Sequence, residues 1–269
     1  MSYNSPPDYV PPPVPPVPPV PHPPPAARPT RGGPGGRRGG GRGGARTAVR
    51  GLGELLITAG LVLLLFVAYQ LVWTNFEAHR AQGGVADQIR DDWQRPPASG
   101  SAGEEPKAPR KVDFGKGFAF MHIPRLGKNY AVPVVQGVGL GDLARGIGHY
   151  PRTAMPGEVG NFAVAGHRAT HGEPFAYLDK VGKGDVVIVE TSTDWFVYRM
   201  DRVKIVAPTD VWVIGPVPGR PDAQPTEALI TLTTCNPRWA STERLIVFGH
   251  LESRRDKADG PPPQLPRRA

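Results

Sequence analysis

A long apolar segment near the N-terminus places the strongest constraint on how this chain can fold. Residues 52–73 read LGELLITAGLVLLLFVAYQLVW and contain one charged residue, Glu54. At about 1.5 Å per residue, a helix of this length extends about 33 Å, which is enough to cross the hydrocarbon core of a bilayer. A buried helix of a soluble protein is not normally apolar on every side, as this segment is. The sequence predicts a transmembrane helix over residues 51–75.

The charges on either side of this segment predict its orientation. Residues 1–50 contain seven arginines and one acid, Asp8, and therefore carry a charge of +6, whereas the residues after the segment are mixed in sign. By the positive-inside rule, the N-terminus stays in the cytoplasm and the rest of the chain lies outside the cell. Cleavage as a signal peptide is disfavoured, because the apolar run exceeds the usual length of about 7–15 residues.

Three segments have a composition that cannot form a core. Residues 1–50 hold 15 prolines and 9 glycines and predict a disordered cytoplasmic tail. This tail could bind a proline-recognising domain or RNA, but a solvated tail is the favoured interpretation. Residues 76–112 predict an extracellular stalk with a short helix near Val85–Trp93, and residues 253–269 predict a second disordered tail.

The net charge of +8 does not indicate a nucleic-acid-binding protein. The N-terminal fifty residues account for six of these charges and the last nineteen for two, so residues 51–250 are neutral. A nucleic-acid-binding domain would need a basic surface on the folded part of the chain. We therefore expect no nucleic-acid partner.

Residues 113–252 have the pattern of a β domain. Short apolar or alternating runs, many of them separated by glycine or asparagine, occupy residues 117–123, 129–138, 161–166, 185–191, 195–207, 228–234 and 244–251. A short helix is expected around residues 141–145. Seven or eight short strands in this length predict a mostly β fold, either a closed barrel or a sandwich.

The single cysteine, Cys235, follows the last threonine of the run TLTTC at the end of a predicted strand. One cysteine forms neither an intramolecular disulfide nor a multi-thiolate metal site, so Cys235 is either a buried small residue or a reactive thiol. Arg244 opens the next predicted strand. If these strands pair antiparallel, Cys235 and Arg244 face each other, and the guanidinium can bind the oxygen of a tetrahedral intermediate.

A cysteine nucleophile also needs a proton carrier, and three histidines of the β domain remain candidates: His149, His167 and His171. His167 follows the apolar run FAVA and a glycine, which places it at a strand end. We therefore predict His167 as the partner of Cys235.

Two of these segments, TLTTC with the downstream Arg244 and GNFAVAGHR at residues 160–168, resemble the signatures of the sortase family. Four further segments are similar to class E sortases of actinobacteria: IPRLG, PVVQGV, GHYPRTAMPGEVGN and GEPFAYL. The resemblance covers residues 118–251 and implies a closed eight-stranded sortase-type β-barrel.

The resemblance also implies an activity, that of a membrane-anchored cysteine transpeptidase. Cys235 would attack the threonine carbonyl of a Leu-Ala/Pro-x-Thr-Gly sorting signal on a surface protein, and an amino group of a lipid-linked peptidoglycan precursor would resolve the thioester. His167 would transfer protons and Arg244 would stabilise the oxyanion. Tyr150 and Thr234 would contribute to substrate binding, with no metal and no cofactor.

Two alternatives remain open on the sequence. An L,D-transpeptidase also uses cysteine and histidine, but its nucleophile lies in a Ser/Thr-His-Gly-Cys context that differs from TLTTC. A non-enzymatic, membrane-tethered β domain would use Cys235 only as core filler.

Overall fold

The computed structural model describes residues 42–95 and 112–265, so the predictions for residues 1–41, 96–111 and 266–269 lie outside the described residues. The chain divides into two units, Met1–Leu56 and Ile57–Ala269. In the described part of the first unit, the side chains of Arg50 and Glu54 pair at 3.0 Å across one helical turn. The helix therefore includes residues that were assigned to the tail.

Helix α1 spans Arg42–Gln94 and includes the predicted transmembrane segment. Its most apolar window has a mean hydropathy of 2.5, and none of that window is buried. By length and composition, this helix is able to cross a membrane.

In the second unit, α1 continues beyond the apolar segment, which corrects the stalk predicted from residue 76. Ala78, Val85 and Ile89 are 1–3% exposed and lie on one face of the helix. Trp93 packs edge-on against Phe120 of the barrel, with ring centroids 5.5 Å apart. Polar residues occupy the other faces, so the average composition of this stretch hides the apolar stripe. The short helix predicted near Val85–Trp93 is the end of this longer one.

Eight strands form a closed barrel in the order β1-β2-β3-β4-β7-β8-β6-β5. They are β1 (Gly117–His122), β2 (Ala131–Gln136), β3 (Ile147–His149), β4 (Gly160–Ala165), β5 (Val186–Glu190), β6 (Asp194–Val206), β7 (Ala228–Asn236) and β8 (Glu243–Asp256). The short helix α2 spans Leu140–Leu143, near the helix expected there. The closed barrel confirms the predicted fold class, while β3, only three residues long, was too short to show a strand pattern.

The C-terminal boundary of the barrel differs from the prediction at residue 252. Strand β8 pairs with β6 as far as Asp256, opposite Asp194. Arg254 Nε donates to Asp194 Oδ1 at 2.6 Å, and the residues that follow are described to Leu265. The charged side chains of this stretch are exposed although the strand is paired, which is why their composition resembled a tail.

Candidate active site

Cys235 lies near the end of β7 and faces outward from the barrel. On this strand the core is filled by Ile230 and Leu232, both fully buried. Successive side chains of a strand point to opposite faces, so Cys235 shares the outer face with Thr233. Its side chain is a free thiol of intermediate burial, which leaves it open to a substrate.

Arg244 is the register partner of Cys235 on β8, as the sequence predicted. Its Nη1 donates to the carbonyl oxygens of Ser241 at 3.1 Å and Glu243 at 2.8 Å. Within the described residues, its Nε and Nη2 make no hydrogen bond, so these N–H groups are available to a substrate oxygen. The guanidinium is thus anchored at one nitrogen and open at the other two.

His167 comes to the same end of the barrel, because β4 runs parallel to β7. The register pairs Ala165 with Thr233, and the Gly166 N–H donates to the Thr233 carbonyl at 3.1 Å. His167 comes two residues after Ala165, just past the end of β4, and Cys235 comes two residues after Thr233 on β7, so both belong to the same end of the barrel. The His167 carbonyl accepts a hydrogen bond from the Phe175 N–H at 2.9 Å, which closes the loop after β4.

The imidazole of His167 stacks on that of His171, with ring centroids 5.0 Å apart and planes inclined at 28°. Burial lowers the pKa of His167 below its usual value, and the nearby charge of a protonated His171 lowers it further. The ring of His167 therefore loses its proton more readily than an exposed histidine. Sequence reasoning left His171 among the alternatives and did not foresee this contact.

Arg168, which sequence reasoning missed, joins the His167 and Cys235 strand ends. Its side chain is 7% exposed. Nη1 donates to the Cys235 carbonyl at 3.2 Å and to Asn236 Oδ1 at 2.6 Å, while Nη2 pairs with Asp179 at 3.2 Å. The available signal was a bulky cation directly after His167 in the segment GHR.

The two threonines before Cys235 have different roles. Thr234 faces inward, is 3% exposed, and donates its hydroxyl to the Gly166 carbonyl at 2.8 Å. The hydroxyl of Thr234 is thus engaged within the barrel, and the contribution of Thr234 to substrate binding stays a prediction. Thr233 faces the same side as Cys235, and its Oγ1 lies 3.2 Å from the hydroxyl of Tyr150. Tyr150 is therefore on the same face, two residues along β7 from Cys235.

His149, the third candidate histidine, lies apart from Cys235 in a buried network. Its Nδ1 is 2.8 Å from Gln136 Oε1 and its Nε2 is 2.9 Å from Thr153 Oγ1. It is 1% exposed, and burial lowers its pKa to about 4. These contacts assign His149 to the support of the barrel.

A groove of about 750 Å³ opens on the barrel near the start of β7. Its lining includes Arg202, Lys204, Trp212, Leu229 and Phe248, and none of the predicted site residues. Leu229 is six residues before Cys235, or roughly 20 Å along the strand. Across residues 42–95 and 112–265, no group of three or more His, Cys, Asp or Glu side chains is arranged to hold a metal ion.

Comparisons with known proteins agree with this architecture. The family model described as the sortase domain matches residues 121–252. The chain is 40% identical to sortase SrtE2 of Streptomyces coelicolor over 87% of its own length and 94% of the relative. It is 41% identical to sortase SrtE1 of the same organism, over 82% of the chain and 62% of the length of that relative.

Solved structures show the same likeness. Sortase E from Streptomyces avermitilis is 44% identical, with a TM-score of 0.53 over 58% of this chain and 100% of that one. Sortase E1 from Streptomyces coelicolor, solved with a tripeptide in the active site, is 40% identical, with a TM-score of 0.52 over 56% of this chain and 97% of that one. By its domain, its relatives and its barrel, this chain belongs to the sortase family of cysteine transpeptidases and is similar to class E.

Proposed function

We propose that this protein is anchored in the cell membrane by α1 and joins surface proteins to the cell wall on the outer side. The observation that carries the proposal is the convergence of three strand ends. Cys235 and Arg244 are register partners, and the last β4–β7 pair, Ala165 with Thr233, lies two residues before His167 and Cys235. The three side chains are partly exposed, which supports their meeting an extended peptide at this end of the barrel.

In the first half-reaction, the thiolate of Cys235 attacks the threonine carbonyl of a Leu-Ala/Pro-x-Thr-Gly sorting signal. The oxygen becomes negative in the tetrahedral intermediate, and the free N–H groups of Arg244 stabilise it. Protonated His167 gives its proton to the leaving glycine nitrogen as the C–N bond breaks. The surface protein is then held on Cys235 as a thioester.

In the second half-reaction, the amino group of a lipid-linked peptidoglycan precursor attacks the thioester carbonyl. His167 accepts the proton of this amine, an amide bond forms, and the sulfur of Cys235 leaves. Anchorage by α1 would keep the site close to a membrane-bound acceptor, which raises its effective concentration.

The resemblance of the segment GHYPRTAMPGEVGN to class E sortases implies that Tyr150 favours alanine over proline at the second position of the signal. Its hydroxyl meets Thr233 on the face that carries Cys235. We assign Tyr150 to the wall of the substrate groove, and Thr234 to the support of the Gly166 turn.

The experiment that tests this function uses the full chain in detergent with Leu-Ala-x-Thr-Gly and Leu-Pro-x-Thr-Gly peptides and triglycine as the amine. Mass spectrometry should detect cleavage after threonine and a new amide to triglycine. Cys235→Ala should abolish both products, and His167→Ala and Arg244→Ala should each reduce them by at least about a hundredfold. A wild-type chain without either product would favour a non-enzymatic binding domain.

A further inference from the structure

The part of α1 that follows the apolar segment contacts the loop beside the active site. Asn75 Oδ1 accepts a hydrogen bond from the Gly172 N–H at 3.2 Å, and Asn75 Nδ2 donates to Glu173 Oε1 at 3.1 Å. Ala78 and Gln82 lie on the same helical face as Asn75, at a spacing of three and four residues. We call residues 170–173 the 170–173 loop. The side chains of Asn75, Ala78 and Gln82 contact this loop at Gly172 and Glu173.

The 170–173 loop has a backbone that needs such support. His171, Gly172 and Glu173 have φ angles of +57°, +77° and +45°, so three consecutive residues are left-handed. Non-glycine residues adopt this conformation at an energetic cost and keep it when surrounding contacts impose it. A Cβ on Gly172 would displace the amide end of the Gln82 side chain and would contact the Cβ of Ala78, so the loop lies directly against the helix. Helix α1 and the 170–173 loop therefore pack closely against each other at Gly172.

The 170–173 loop contacts residues on two sides of the proposed active site. On one side, the ring of His171 stacks on that of His167 at 5.0 Å. On the other, Glu173 forms an ion pair with Arg238, a residue of the connection between Cys235 and Arg244. The guanidinium of Arg238 lies over the ring of Tyr177 at 5.2 Å. The loop thus connects the histidine to the segment that joins the other two predicted catalytic residues.

We propose that Asn75 is a positioning residue for the transpeptidation reaction, which holds the 170–173 loop so that His171 stays against His167 and Glu173 stays paired with Arg238. The inference rests on the function proposed above. It gives the residues of α1 that directly follow the apolar segment a role in supporting the active site.

The test is kinetic and uses the full chain in detergent with the Leu-Ala-x-Thr-Gly peptide and triglycine. Asn75→Ala removes both hydrogen bonds to the loop and should lower kcat about tenfold with KM nearly unchanged, because the peptide groove is not touched. Glu77→Gln, on an exposed position of the same helix, is the matched control and should behave as wild type.

A pH profile separates positioning from a general loss of structure. The loop carries the Glu173–Arg238 pair, the Arg168–Asp179 pair directly follows His167, and on α1 the titratable His79 has its Nδ1 2.7 Å from the Asn75 carbonyl. If the loop is released, His171 moves away from His167 and the pKa of His167 rises. The basic limb of the rate profile of Asn75→Ala should therefore shift to higher pH, whereas partial unfolding would lower the rate without moving the limb.

Exchanging the donor and acceptor roles of residues 75 and 173 tests whether the lost activity can be rescued. Asn75→Asp keeps the acceptor for the Gly172 N–H but loses the donor to Glu173 and places two carboxylates together. Adding Glu173→Gln restores a donor and an acceptor with their roles exchanged. The double variant should have a higher kcat than Asn75→Asp alone, and a double-mutant cycle should show this coupling.

Amide hydrogen exchange gives a readout that does not need turnover. The exchange of the Gly172 amide should become faster in Asn75→Ala and remain as in wild type in Glu77→Gln. If wild type is active and Asn75→Ala has the same kcat and the same basic limb as wild type, the positioning role of Asn75 is overturned and the proposed function is not. An inactive wild type would overturn the proposed function and, with it, the reaction that Asn75 is proposed to serve.

Discussion

Arg168 donates a hydrogen bond from Nη1 to the carbonyl oxygen of Cys235 at 3.2 Å. Because Arg168 directly follows His167, this single bond links the end of β4 to the end of β7 from within a nearly buried site. The backbone around both proposed catalytic residues is held by the same guanidinium.

Replacement of Arg168 should therefore affect stability and activity together. Arg168→Ala leaves the Cys235 carbonyl and the Asn236 side chain without their donor, and we expect a loss of about 2–3 kcal/mol in the free energy of unfolding. The kcat should fall by about two orders of magnitude, because small displacements of reacting groups are costly. Chemical denaturation and peptide kinetics measure both effects.

The control for this change is Arg220→Ala, which removes an exposed arginine from the connection between β6 and β7. Arg220→Ala should leave the free energy of unfolding and kcat within error of wild type. Equal activity of Arg168→Ala and wild type would contradict the role given to Arg168.

Thr234 should act through the Gly166 turn. Thr234→Val removes the hydroxyl that donates to the Gly166 carbonyl, and should lower the free energy of unfolding by about 1–2 kcal/mol and kcat several-fold. Thr234→Ser keeps the hydroxyl and should retain most of the stability and most of the kcat of wild type. If valine and serine variants were equally active and stable, the hydrogen bond would have no part in positioning His167.

His149 should make the barrel sensitive to acid. The folded protein keeps His149 neutral until pH falls to about 4, whereas the unfolded chain binds the proton near 6.5. Between these values the unfolded state holds more protons, so stability decreases as pH is lowered from about 6.5 to 4, by up to about 3 kcal/mol.

Urea denaturation at a series of pH values measures this dependence. His149→Gln should be less stable than wild type near pH 7 and should lose less stability on acidification. A variant with the same pH dependence as wild type would show that His149 is not the titrating group.

Tyr150 should influence the choice of sorting signal. Tyr150→Ala is expected to reduce kcat/KM for the Leu-Ala-x-Thr-Gly peptide more than for the Leu-Pro-x-Thr-Gly peptide, changing their ratio about tenfold. Tyr150→Phe loses only the contact with Thr233 and should change the ratio less. Competition between the two peptides, followed by mass spectrometry, measures the ratio directly.

Local patterns predicted a mostly β fold and the pairing of Cys235 with Arg244, whereas the choice of a closed barrel over a sandwich came from the resemblance to sortases. Short apolar runs marked seven of the strands, and a short connection between two adjacent runs implies an antiparallel pair. The three-residue strand β3 is too short to show an alternation of apolar and polar residues. Strand alternation in TLTTC also places Thr233 on the face of Cys235 and turns the side chain of Thr234 to the other face.

The contacts of Asn75 and Arg168 could not be predicted in the same way, because they join residues distant in sequence. Asn75 meets Glu173 across 98 positions, and Arg168 meets the Cys235 carbonyl across 67. Such contacts depend on the closed barrel and on where α1 packs against it. A polar stretch of helix with a sparse apolar stripe also has the composition of a linker, so residues 76–94 were assigned to a stalk.

The most direct test of the central claim is the intact mass of the full chain after brief incubation with the Leu-Ala-x-Thr-Gly peptide and no added amine. The account predicts an adduct equal to the peptide up to its threonine, less one water, attached at Cys235. The adduct should disappear on addition of hydroxylamine and should not form in Cys235→Ala. Cleaved peptide without any such adduct, or an adduct that persists in Cys235→Ala, would contradict the assignment of Cys235 as the nucleophile.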